Sequence, residues 1–100
     1  MGRTPDLNNI SEGQQKVTNF LVGLGLIVEV EKKIGSYRVD CYLPELKYVI
    51  EYDGPFLHHS TPQTEKRDKE LMLLGVAKVI HMKGTSKEDL QKLKEEIDYV

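Results

Sequence analysis

The sequence predicts an α/β fold: a mixed β-sheet of about four strands flanked by helices, in the order α-β-β-β-α-β-α. Three observations lead there. Apolar residues recur at helical spacing in three separate segments. Short runs rich in β-branched and aromatic residues fall between them. The second and third of these runs are joined by a short turn, whereas a helix-length segment separates the third from the fourth. That is the pattern of an antiparallel pair followed by a parallel strand reached through a helical crossover.

Residues 1–10 are polar and read as a flexible lead, leaving residues 11–100 as a single domain. Ser11 opens the first helix, with Gln14 three positions on as its capping-box partner. Val17, Phe20, Leu21 and Leu24 form the buried stripe of that helix, and Gly23 and Gly25 close it. Residues 26–31 (LIVEVE) read as the first strand and Ile34-Gly35-Ser36 as a turn. Residues 37–43 (YRVDCYL) form the second strand. Pro44-Glu45-Leu46-Lys47 turns the chain into residues 48–53 (YVIEYD), which are apolar on both faces until the end, as suits a central strand. Gly54-Pro55 breaks this strand, and residues 54–63 read as a loop. Glu65 to Leu74 reads as the second helix, with Leu71 and Leu74 inward and Gly75 as its stop. Residues 76–82 (VAKVIHM) form the fourth strand. Ser86 caps a last helix through Asp89, with Leu90, Leu93 and Ile97 inward.

Bulk properties narrow the function classes. A chain of 100 residues makes one compact core and no more. A net charge of −2 and a pI near 5.9 argue against a strong stand-alone electrostatic grip on nucleic acid. They leave room for a catalytic domain whose acids hold a metal ion. Cys41 is the single cysteine, which excludes an internal disulfide. No apolar run approaches the roughly 20 residues needed to span a bilayer, and the polar start lacks a signal core. A soluble, cytoplasmic domain with no membrane partner is expected.

The chemistry concentrates at the end of the third strand. Side chains alternate across a strand, so Glu51 and Asp53 share one face while Tyr48, Ile50 and Tyr52 share the other. Two carboxylates at the end of a buried strand repel each other and pay for partial burial. A hard cation such as Mg²⁺ relieves both costs. Pairing through the turn at residues 44–47 would set Asp40 opposite the 50–51 region, within reach of the same ion. The loop that follows carries His58 and His59, either of which could move a proton at a reacting oxygen. In the second helix, Arg67 lies on the stripe of Leu71 and Leu74, and Asp68 lies beside it. Arg67 could meet a phosphate or pair with a site acid, and Asp68 could orient a histidine. His81, alone inside an apolar strand, reads as structural, and the strand tyrosines read as packing residues.

The stretch Tyr37-Arg38-Val39-Asp40, Glu51-Tyr52-Asp53-Gly54 and His58 resembles the PD-(D/E)XK nuclease superfamily. Within it, the chain looks most like the branch holding the very-short-patch repair endonuclease and phage homing endonucleases. Gly54-Pro55-Phe56-Leu57-His58-His59 is similar to that branch's glycine-x-phenylalanine-x-histidine-histidine segment. Arg67-Asp68, Leu71 and Leu74-Gly75 are similar to the helix that follows. The resemblance implies a restriction-endonuclease-like fold and a metal-dependent endonuclease that hydrolyses DNA phosphodiester bonds. It makes Asp40 the principal ligand and Glu51 a second ligand of Mg²⁺ (or Mn²⁺). Asp53 takes the place of the superfamily's lysine, His58 becomes the general base and Asp68 its supporting acid. Arg67 and His59 are expected as DNA-binding or supporting residues. Gln14 stands where the first helix usually presents a glutamate, and Glu12 is a weaker substitute for it. DNA is the implied partner, with RNA as the alternative. One small active site cuts one strand, so double-strand cleavage would take a dimer or two events, and the acidic balance and small size suit a homodimer or an additional DNA-binding domain. The alternative reading is a catalytically weak or inactive module that binds RNA or DNA, like the RAP domain, whose D…E-x-D-G-x-x-H pattern is similar.

Overall fold

A computed structural model describes residues 11–54 and 61–98. The elements among them follow the expected order: α1 (Glu12–Gly23), β1 (Glu29–Ile34), β2 (Tyr37–Leu43), β3 (Tyr48–Tyr52), α2 (Pro62–Leu73), β4 (Lys78–Met82) and α3 (Lys87–Ile97). The strands form one sheet, β1-β2-β3-β4. The first two pairings are antiparallel, and β3 pairs with β4 in parallel. The lead at residues 1–10 lies outside the described residues. None of the helices described is long and apolar enough to cross a membrane.

Local chemistry accounts for the element ends. Ser11 accepts the Gln14 N–H at 3.2 Å. Ser86 and Asp89 complete a reciprocal capping box on α3. Helix α2 starts three residues before the expected Glu65, because the Thr61 side chain accepts the Thr64 N–H and Pro62 supplies a helix-ready φ in the first turn. Strand β1 spans Glu29–Ile34, where the sequence suggests residues 26–31. Its ladder runs from Glu29 opposite Tyr42 to Ile34 opposite Tyr37. The same register would set residues 26 and 27 opposite Glu45 and Pro44, past the end of β2 at Leu43. Strand β4 begins at Lys78 rather than residue 76. The Val76 N–H bonds back to the Leu71 carbonyl and the Ala77 N–H crosses to Lys47.

The sheet buries both faces. Val17 and Leu21 of α1 and Leu93 and Ile97 of α3 pack on Cys41, Leu43, Ile50, Ile80 and Met82. Leu71 of α2 packs with Val39, Val49 and Val76 on the other side. Leu71 is the buried residue of α2, whereas Leu74, expected inward, is 55% exposed at the helix C-cap. On the first face the α1 backbone comes close to β3. A Cβ at Gly13 would overlap the Tyr52 ring, so glycine permits this approach.

A local break in the β1–β2 ladder prepares the site. Val39 and Cys41 are two apart on β2, yet they pack into opposite cores. A regular pleat puts such residues on one face. The register holds on both sides of the break, from Val30 opposite Cys41 to Lys32 opposite Val39, and skips the Glu31–Asp40 position. Glu31 adopts φ 55°, in the left-handed region that non-glycine residues seldom enter. The kink re-aims both Glu31 and Asp40.

Candidate active site

Asp40 and Glu51 meet as the hairpin predicts. The β2–β3 register pairs Cys41 with Ile50, and one step further along Asp40 faces Glu51. Each carboxylate completes the ladder of the other strand. Glu51 Oε2 accepts the Asp40 N–H at 2.8 Å, and Asp40 Oδ2 accepts the Tyr52 N–H at 2.8 Å. This reciprocal bonding fixes both side chains through rigid backbone and commits one oxygen of each. Burial pushes the pKa of both groups above the ordinary carboxylate range. For Asp40 the Tyr52 hydrogen bond opposes that rise, while the charges of Glu31 and Asp53 add to it. For Glu51 the Asp40 N–H and Arg67 oppose it, while the Asp40 charge adds to it.

Arg67 crosses from α2 to this pair. Its Nη2 lies 3.2 Å from Glu51 Oε1 and donates to the Arg38 carbonyl at 2.9 Å. Its Nη1 is 3.8 Å from Asp68 Oδ1. The guanidinium also lies 5.7 Å from the centre of the Tyr37 ring, which adds a cation–π contact. The Glu51 side chain is only 13% exposed, so this cation partly balances a desolvated charge.

His81 stands beside them. Parallel pairing sets it opposite Glu51 in the sheet. Its Nδ1 lies 2.9 Å from Asp53 Oδ2 and its Nε2 lies 2.7 Å from Asp68 Oδ2. Burial alone would push the imidazole pKa down, but the hydrogen bonds and charges of Asp68 and Asp53 outweigh it and the net shift is upward. The sequence reading of His81 as a structural residue is therefore incomplete, because the ring joins two of the candidate site acids. Asp68 does orient a histidine, and among the described residues that histidine is His81.

Gln14 reaches the cluster from α1. It is 7% exposed, and its side-chain amide donates to Glu31 Oε2 at 3.0 Å and to the Asp40 carbonyl at 3.4 Å. A carboxylate does stand beside this helix position, but it comes from β1. Sequence reasoning missed Glu31, since the alternating LIVEVE run gives no sign of the left-handed backbone that turns it inward. Glu12 stays outside: its side chain is 85% exposed and pairs with Lys16 at 3.4 Å. His58 and His59 lie outside the described residues.

Among the described residues no group of three or more His, Cys, Asp or Glu side chains is arranged to hold a metal ion. Asp40 and Glu51 suit a narrower part. Both are hard oxygen donors with a desolvated charge. Mg²⁺ commonly takes only one or two protein carboxylates and fills the rest of its octahedron with water and substrate phosphate oxygens.

No protein-family model and no curated protein matches the chain. Among solved structures, the catalytic domain of the homing endonuclease I-Bth0305I aligns with a TM-score of 0.65 and 21% sequence identity, covering 88% of this chain and 91% of that one. The likeness is one of fold, and it extends over nearly the whole of both chains.

Proposed function

We propose that this domain is a metal-dependent endonuclease that hydrolyses DNA phosphodiester bonds. The observation that carries the reading is the Asp40–Glu51 pair: two partly buried carboxylates on facing strands, each locked by the other strand's N–H. Such an arrangement is costly for folding and suited to a hard cation. The fold shared with a homing endonuclease catalytic domain supports the same reading.

Mg²⁺ or Mn²⁺ bound by Asp40 and Glu51 would polarise the scissile phosphate and offset the charge that develops on it. Arg67 is poised to share its guanidinium between Glu51 and a phosphate oxygen, since its fork matches either partner. Asp53 does not take over the charge of a lysine at its position; it accepts a hydrogen bond from His81. His58, in the role that the resemblance assigns, would take the proton of the attacking water.

A second reading is a module that binds DNA or RNA without cutting it. It draws on Gln14, whose neutral amide occupies the place of a carboxylate beside Asp40. Incubation with supercoiled plasmid in Mg²⁺ or Mn²⁺ separates the two. Nicking that EDTA, Asp40→Ala and Glu51→Ala each abolish supports the nuclease. Binding without nicking supports the module, and neither activity rejects both. A linear product formed without accumulation of the nicked circle would further indicate paired active sites, from a homodimer or a larger assembly.

A further inference from the structure

Helix α2 carries Arg67 to the site, yet its buried anchor on the sheet is Leu71, one turn further on. At the helix's N-terminal half, polar contacts replace apolar ones. Arg67 bonds to Glu51 and to the Arg38 carbonyl, and Asp68 bonds to His81. Asp68 Oδ1 is buried, with no hydrogen-bond partner among the described residues and the Arg67 guanidinium 3.8 Å away, so the 2.7 Å contact of Oδ2 with His81 Nε2 is the shorter of the ties on this carboxylate. The other ring nitrogen grips Asp53, whose own N–H bonds to the Met82 carbonyl at 2.8 Å and continues the β3–β4 pairing past Glu51. A single imidazole near the end of β4 thus joins the residue that follows β3 to the middle of α2.

We propose that His81 is a positioning residue of the active site, its ring bridging Asp53 and Asp68 and thereby holding Arg67 on α2 against Glu51 on β3. The inference rests on the nuclease reading given above. The chemistry suits the task. With both nitrogens protonated, the imidazolium offers two donors at opposite edges of one rigid ring, so it sets both the separation and the direction of the two carboxylates. A flexible lysine fixes neither, and an amide has its donors on one atom. The ring touches neither of the proposed metal ligands in its hydrogen bonding, so its effect on cleavage passes through Arg67 and the lie of α2. Errors of this kind, an ångström or so in a group that meets a phosphate, lower turnover more than they lower binding.

The test uses the full chain with His81→Gln and His81→Phe. The first keeps one donor group and the second keeps only the ring's bulk, so one variant serves if the other folds poorly, as judged by circular dichroism and urea unfolding. Plasmid nicking in saturating Mg²⁺ should fall in kcat by roughly 10- to 100-fold, with His81→Phe the slower, while KM for DNA changes by less than about threefold. In parallel, ¹⁵N-histidine NMR of the wild type should show both ring N–H groups of His81, one lost from its hydrogen bond in Asp53→Ala and the other in Asp68→Ala. An active wild type whose folded His81 variants nick at the same rate overturns the proposal alone, as does a ring that shows only one bonded nitrogen. A wild type with a bridged ring and no nicking activity overturns the nuclease reading, and this inference with it.

Discussion

Replacing Asp40 with Asn should abolish nicking and at the same time stabilise the domain at neutral pH. The amide is isosteric and its oxygen can still accept the Tyr52 N–H, which lies 2.8 Å from Oδ2. What disappears is a partly buried charge facing Glu51 across the strands, with the charges of Glu31 and Asp53 adding to its cost. Directly opposed cross-strand side chains sit about 5 Å apart, and two like charges at that distance and an effective dielectric near 20 repel by about 3 kcal/mol. Arg67, 3.2 Å from Glu51, offsets part of this, and partial solvent exposure offsets more. A net gain of about 1–2 kcal/mol remains, or roughly 4–16 °C in Tm for a domain of this size. The pH dependence gives a second check. Burial raises the folded-state pKa of Asp40 above its ordinary value of 3.8. At pH values below the unfolded pKa the carboxyl is protonated in both states and costs nothing. As pH rises from there the unfolded state sheds its proton first, so wild-type stability falls until the folded group has ionised as well. The advantage of Asp40→Asn should therefore be present at pH 7.5 in EDTA, vanish near pH 3.5 and shrink again when Mg²⁺ binds the wild type. Thermal melts followed by circular dichroism under these three conditions measure it. A variant no more stable than wild type at pH 7.5, or a gain that persists undiminished in acid, would refute the argument that Asp40 is a desolvated, repelled carboxylate.

Leu71→Ala removes the buried anchor of α2. Three carbon groups at about 0.8 kcal/mol each, plus the cavity they leave, predict a loss of about 3–4 kcal/mol in urea unfolding. Ser86→Ala breaks the capping box of α3 and should cost about 1 kcal/mol by the same measurement. The Cys41 thiol is 1% exposed and burial pushes its pKa up to about 11, so a thiol reagent at pH 8 should label it only as fast as the domain unfolds. Rapid labelling in native buffer would show that the face beneath α1 opens.

His81 and Glu31 show where sequence reading meets its limit. Both stand in runs whose alternation is ordinary, and neither belongs to a recognisable spacing of acids or histidines. His81 acquires partners because the crossover through α2 brings β4 alongside β3 and lays Asp68 over the same face. A histidine in a strand that pairs in parallel beside an acid-bearing strand is the one hint the sequence held. For Glu31 there was none.

Short-range chemistry determined a good deal of this protein. The caps at Ser11 and Ser86, the apolar stripes at helical spacing and the tight turn at residues 44–47 settle the helices, the β2–β3 hairpin and the meeting of Asp40 with Glu51, because periods of 3.6 and 2 residues and a short turn leave few alternatives. The tertiary structure alone decided the rest: the left-handed backbone at Glu31, the Gln14 bridge from α1, Glu12 turned outward and His81 clasped between Asp53 and Asp68. These depend on contacts between segments far apart in the chain, whose relative placement is set by how two cores pack on opposite faces of one sheet.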